Sequence, residues 1–302
     1  FLLKKHASIM LLIFFSWFFL IAAAISPDSY TDDFARHKMW PMCGQSGTNH
    51  TICLEACFNS WEFGGETLVG CDLEPNGPDT CAGSTSVSHD DKAIILSFRG
   101  SVGSHQVTEE NGSLGDKIPF PGGGMVSHYF YNAFLQVWNG GMKNAYNTFK
   151  NKYPDYEIWI TGHSLGGVMA SLGASHISQT GLADPSKMRL MNFAGPHGGD
   201  LTWAQRMPTL VPWAYRVVHH WDYVPHIPTN PNWTYTHHKI EIWYNNSMAN
   251  GDPYITCVEL ESKNCSDSVD PSDYTWNDHG NYFEGKGCTD LCQKAPLSSM
   301  SS

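Results

Sequence analysis

Short apolar runs and helix-spaced apolar positions alternate along most of this chain. Ala93-Ile94-Ile95-Leu96-Ser97-Phe98 reads as a buried strand that ends at Arg99-Gly100. From Ser127 to Lys150 the apolar residues Phe130, Phe134, Val137, Met142, Ala145 and Phe149 recur near helical spacing. Glu157–Thr161 predicts a second buried strand, and Leu165–Ser178, rich in Ala, Leu and Met, a helix. Met188–Phe193 and Tyr215–Val218 predict further strands. Lys239–Tyr244 alternates polar and apolar positions and reads as an antiparallel addition. Strands alternating with helices imply an α/β fold whose central sheet is covered on both faces. The stretch from Pro41 to Asp90 shows no such pattern and holds five cysteines, so it is expected to be stapled rather than packed.

The first 24 residues have a different character. Lys4 and Lys5 precede the almost wholly apolar run Ile9–Ile21, and Ala22-Ala23-Ala24 follows. A basic start, an apolar centre and small residues at the end define a secretory signal. The apolar run is shorter than the ~20 residues that span a bilayer, so cleavage is expected rather than anchorage. Residues 25–302 are read as one domain, and the protein as secreted, with no stable membrane insertion once the signal is removed. All nine cysteines lie beyond the signal, which fits an oxidising compartment. Cys53 and Cys57 have ligand-like spacing, but no second pair with histidine follows, so disulfides are preferred to zinc. Nine is odd, which leaves one thiol free or paired with another chain. Asn49, Asn111, Asn232 and Asn245 are candidate glycosylation sites; Asn264 is a poorer one beside Cys265. Twenty-nine acidic against eighteen basic residues, a formal charge of -11 without a basic block, exclude an electrostatic nucleic-acid binder.

The chemistry centres on Gly162-His163-Ser164-Leu165-Gly166-Gly167. It lies between a predicted strand and a predicted helix, the setting of a nucleophile elbow. A serine hydroxyl needs a base, and the base needs an orienting carboxylate, in the order Ser, Asp, His. Asp222 follows the strand ending at Val218, where a loop leaves the carboxyl end of the sheet. His279, late in the chain, suits the base. The adjacent pairs His219-His220 and His237-His238 are read as structural, because neighbours on a strand point to opposite sides. The oxyanion donors are assigned to Leu165 and to Ser101, which leaves the first strand in Phe98-Arg99-Gly100-Ser101.

These segments, with Asp222-Tyr223-Val224-Pro225-His226-Ile227-Pro228 and Asp278-His279-Gly280-Asn281-Tyr282-Phe283, resemble the class 3, or fungal-type, lipase family, most closely its secreted nematode branch. The resemblance runs roughly from Asp33 to Cys292. It implies an α/β-hydrolase fold, a Ser164–Asp222–His279 triad and an oxyanion hole at Ser101 and Leu165. It also implies disulfides resembling Cys257–Cys265, a terminal tie from Cys43 to Cys288, and a further bridge Cys71–Cys81. The implied activity is hydrolysis of acylglycerol-type esters through an acyl-enzyme, with no metal and no organic cofactor. A phospholipase A1 or aryl-esterase with the same triad, and a non-catalytic protein on a degenerate scaffold, are the alternatives. Where the family carries a basic residue, this chain has Ala194-Gly195-Pro196-His197. In the family, a lid helix with an apolar face follows the oxyanion serine. Here Val102–Asp116 offers only Val102, Val107 and Leu114 as apolar residues, and Gly103, Asn111, Gly112 and Gly115 oppose a stable helix. A weak lid with little response to an oil interface is the expectation.

Overall fold

The computed structural model describes residues 30–44, 46, 51–73, 77–285, 287, 288, 290 and 292. The signal sequence and Asn49 lie outside these residues. An eight-stranded sheet runs in the order β1-β2-β3-β6-β7-β8-β9-β10. Its strands are β1 (Trp61–Gly70), β2 (Thr80–Ser88), β3 (Ala93–Phe98), β6 (Glu157–His163), β7 (Met188–Phe193), β8 (Trp213–His219), β9 (Glu241–Tyr244) and β10 (Ile255–Cys257). The small ribbon of β4 (Lys117–Pro119) and β5 (Met125–Ser127) stands apart. From β3 to β9 all neighbours are parallel, while β1, β2 and β10 are antiparallel to theirs.

The parallel strands read as continuous apolar runs because both faces are covered. Ile94, Leu96 and Phe98 of β3, with Ile158 and Ile160 of β6, face one core, together with helix residues Phe130, Phe134, Val168 and Leu172. Ala93, Ile95 and Trp159, one position out of phase, face a second core built with Tyr30, Met39, Trp40 and Leu54. The first core is roofed by helices His128–Val137, Lys143–Lys152 and Leu165–Gln179, the second by the short helical turns between Asp32 and Cys57.

Four expectations are corrected. The Pro41–Asp90 stretch is not merely stapled: its second half forms β1 and β2. Their serines, threonines and glycines hide them from an apolar-run search, yet β2 is buried along nearly its whole length. Lys239–Tyr244 is not an antiparallel addition, because β9 runs parallel to β8 and the antiparallel strand is β10. The helix expected over Ser127–Lys150 is broken at Trp138–Met142, where Gly141 leaves helical geometry.

The fourth concerns cysteines. Cys71–Cys81 and Cys257–Cys265 are bonded, but the terminal tie runs Cys53–Cys292, not Cys43–Cys288. Cys43, Cys57 and Cys288 are free thiols. Cys43 and Cys288 lie within hydrogen-bond range of each other, so two near-equivalent pairs converge at one place and spacing alone does not choose between them.

Candidate active site

Strand register builds the site. Phe98 pairs with Gly162, Gly162 with Asn192, and Phe193 with Val217, so the carboxyl ends of β3, β6, β7 and β8 align. Loops leaving this edge converge there. Ser164 sits at the turn between β6 and helix Leu165–Gln179 with φ 60° and ψ −128°. An L-residue rarely adopts that conformation, and here its N–H is held by the Phe193 carbonyl at 3.0 Å. The turn requires glycine on either side. A Cβ on Gly162 would lie 2.2 Å from the Gly166 carbonyl oxygen, and one on Gly166 2.1 Å from the Phe98 oxygen.

His279 comes from a short 3₁₀ turn at Asp278–Gly280. Its Nε2 lies 2.9 Å from Ser164 Oγ, and its Nδ1 3.1 Å from both carboxylate oxygens of Asp222. These partners set the tautomer: Nδ1 carries the proton and Nε2 accepts from the serine. Asp222 is fully buried. It also accepts the Val224 N–H at 2.9 Å and the Tyr282 hydroxyl at 2.8 Å, so its charge is met by three donors. Burial drives the Tyr282 phenol well above its ordinary pKa, which keeps the donor proton in place.

His163 stacks on His279 with ring centroids 4.5 Å apart and donates Nε2–H to the His279 carbonyl at 2.8 Å. Burial, and then the neighbouring His279, push its pKa down to about 3. It therefore props the base without adding a positive charge beside it. Trp40 stacks on Tyr282 and meets His163 edge-on, which ties the site to the second core.

Ser101 and Leu165 line a cavity of about 160 Å³ together with Ser164 and His279. Its apolar walls are Val107, Leu114, Phe130, Val224, Ile227 and Trp276. Leu165 opens the nucleophile helix, where backbone N–H groups point toward developing negative charge. The Ser101 hydroxyl, however, donates to Glu110 Oε1 at 2.5 Å. Burial, reinforced by Asp79 and Glu109, pushes the Glu110 carboxyl up to about 7 despite that bond.

Glu110 belongs to helix Gly103–Ser113, which corrects the expectation that this segment resists helix formation. Gly103 is its first residue, Gly112 falls in its last turn, and Gly115 lies beyond it, so none costs an interior position. The helix has no apolar stripe. Its one fully buried side chain is Gln106, which donates to the Tyr129 hydroxyl at 3.1 Å and accepts the Val102 N–H at 2.7 Å. A search for apolar periodicity does not find such a polar anchor. Tyr282 and His163 are likewise invisible as supporting residues, since each acts through a partner distant in sequence.

His237 and His238 are structural. Burial holds His237 and His238 well below the ordinary range, His238 at about 3. They bond the Pro225 and Lys239 carbonyls. Where the family's basic residue is missing, His197 Nδ1 takes the Ile227 carbonyl at 2.8 Å. Asn111, Asn232 and Asn245 are exposed, and Asn111 stands at the cavity lining. Among the described residues no helix is long and apolar enough to cross a membrane.

Fold and site together define an α/β-hydrolase-type serine carboxylic ester hydrolase. Comparison with known proteins specifies the family. Residues 95–232 match the family described as Lipase (class 3). A lipase of Caenorhabditis elegans is 34% identical over 269 residues, covering 77% of this chain and 73% of that protein. A lipase of Rhizopus niveus is 30% identical over 196 residues, covering 64% of this chain and 48% of that longer protein. The solved lipase of Rhizopus microsporus var. chinensis superposes with a TM-score of 0.71 at 21% identity, over 87% of this chain and 91% of its own. The chain belongs to the class 3 lipase family.

Proposed function

We propose that this chain is a secreted esterase of acylglycerol-type lipids that works through an acyl-enzyme on Ser164. The observation that carries this reading is the continuous line Asp222–His279–Ser164, ending on a serine held in elbow geometry. His279 takes the serine proton as Oγ attacks the ester carbonyl. Asp222 holds the ring and stabilises its cation. The Leu165 N–H and Ser101 receive the oxyanion. The alcohol leaves with the proton from His279, and water repeats the sequence on the acyl-enzyme.

The apolar cavity suits an acyl chain, and the names of the relatives support a lipid ester. Because the helix over the cavity is anchored by Gln106 rather than by an apolar face, a lipid surface gains little by moving it. Activity on a short-chain ester is therefore expected to rise smoothly through its solubility limit. Ser164→Ala should fold normally, lose nearly all ester hydrolysis, and fail to react with a fluorophosphonate probe that labels the wild type. Persistent turnover in that variant overturns the assignment. An unreactive wild type at all pH values points to a non-catalytic scaffold.

A further inference from the structure

A second cavity lies between helix Gly103–Ser113 and the β1–β2 connection, lined by Asp72, Gly77, His105, Thr108 and Glu109. Cys71–Cys81 joins the two ends of this connection, and the Asp79 N–H donates to Asp72 Oδ2 at 2.8 Å. From the helix side, His105 and Glu109 stand four residues apart and so share a face. One ligand atom each from Asp72, Asp79 and His105 lies within 4.8 Å of the others. His105 Nδ1 and Asp79 Oδ1 are 3.0 Å apart, close to the ~3.3 Å edge expected between two ligands at tetrahedral zinc distances.

Two observations point to a cation as the ligand. Asp79 is 4% exposed, and its Oδ2 is buried without a hydrogen-bond partner among the described residues; so is Oε2 of Glu109. The two carboxyls face each other. Among the described residues His105 is the sole basic group in ion-pair range of Asp72, Asp79 or Glu109, and it reaches only Oδ1 of Asp79. Two facing orphan carboxylate oxygens are costly unless a proton or a cation joins them. The space beside Asp72 is kept open as well: a Cβ on Gly77 would fall 1.9 Å from Asp72 Oδ1.

We propose that Asp72, Asp79 and His105, with Glu109 beside Asp79, form a site for a divalent transition-metal ion, Zn²⁺ or Mn²⁺, that fastens the helix over the ester cavity to the disulfide-closed loop. The mixed carboxylate and imidazole donors select this class over Ca²⁺ or Mg²⁺, which take oxygen alone. Asp72 and Asp79 come from the loop and His105 from the helix, with Glu109 adjacent on the same helix face. The ion therefore binds the closed arrangement better than any opened one and shifts the population toward it. Metal occupancy then governs access to Ser164 from outside the catalytic machinery.

The test uses the whole chain, stripped with EDTA and titrated with ZnCl₂ or MnCl₂ at pH 7.5 by calorimetry. The wild type should show one site of micromolar or tighter Kd. His105→Gln, which keeps a side-chain hydrogen-bond donor for Asp79, should weaken that site at least tenfold, as should Glu109→Gln. Saturation should also slow proteolysis within residues 103–113 and slow fluorophosphonate labelling of Ser164, and neither effect should appear in His105→Gln. Absence of a tight site, or a site unchanged in both variants, overturns the proposal. Uptake of Ca²⁺ without Zn²⁺ or Mn²⁺ overturns the ligand role of His105. Metal uptake that leaves proteolysis and labelling untouched overturns the fastening. If Asp79 and Glu109 share a proton instead, neither metal binds and acidification raises the Tm of the metal-free wild type but not of Glu109→Gln; that result also overturns it.

Discussion

The hydroxyl of Tyr282 gives its proton to Asp222 and accepts the N–H of His219, so a single oxygen joins the triad acid to the end of β8. Tyr282→Phe keeps the ring packed against Trp40 and removes only that oxygen. One buried hydrogen bond to a charge is worth about 1.5–3 kcal/mol, which sets the expectation of a roughly 10- to 100-fold loss in kcat with little change in KM. Asp222→Asn should lose more, about 10⁴-fold, because the amide favours the wrong imidazole tautomer. Glu110 makes a different prediction. Its carboxyl is raised from the ordinary 4.5 to about 7 by burial, then by Asp79 and Glu109, while its bond from Ser101 pulls the other way. A raised pKa means that the closed placement favours the protonated acid. That preference is complete below pH ~4.5, declines as pH rises, and is gone above pH ~7. With metal removed, proteolysis of residues 103–113 should therefore speed up between pH 5 and 7.5 in the wild type. The dependence should weaken in Glu110→Gln, where Glu109, also raised by burial, is left to titrate, and a flat wild-type profile would exclude Glu110 as a titrating group.

The nucleophile turn and the helix over the cavity show what an element needs from its sequence. At Gly166 the requirement is close backbone approach: a methyl group would press on the Phe98 carbonyl, which no side-chain rotation relieves. Gly166→Ala should lower the Tm or abolish soluble expression, whereas a glycine in open space, such as Gly112, should tolerate alanine. Such local rules made β3, β6, β7 and β8, the elbow and the order Ser164, Asp222, His279 legible in the chain. They rest on apolar runs and on backbone-restricted residues, signals that survive without tertiary context. The unread parts depend on that context. β2 is buried by its neighbours although five of its nine residues are serine or threonine. β9 owes its direction to its β8 partner, and a helix anchored by Gln106 presents no stripe to detect.

For the molecule as a whole, the eight-stranded sheet leaves one face to be covered by the N-terminal segment, whose helical pieces are short. Tyr30, Met39, Trp40 and Leu54 reach that face, and Trp40 continues to the triad through Tyr282 and His163. The Cys53–Cys292 bond ties this segment to the far end of the chain, across a sequence separation of 239. Chain-entropy reasoning gives such a long loop about 5 kcal/mol, against about 2.5 kcal/mol for the short Cys257–Cys265 loop. Replacing both Cys53 and Cys292 by alanine should therefore lower the Tm by roughly 10 °C or more, about twice the effect of replacing Cys257 and Cys265. The loss should be accompanied by a fall in activity, because the segment that loosens carries Trp40. Scanning calorimetry on the two double variants measures the first effect, and ester turnover well below the new Tm the second. A Tm that does not move would place the terminal tie at Cys43–Cys288 instead, whose thiols already stand side by side.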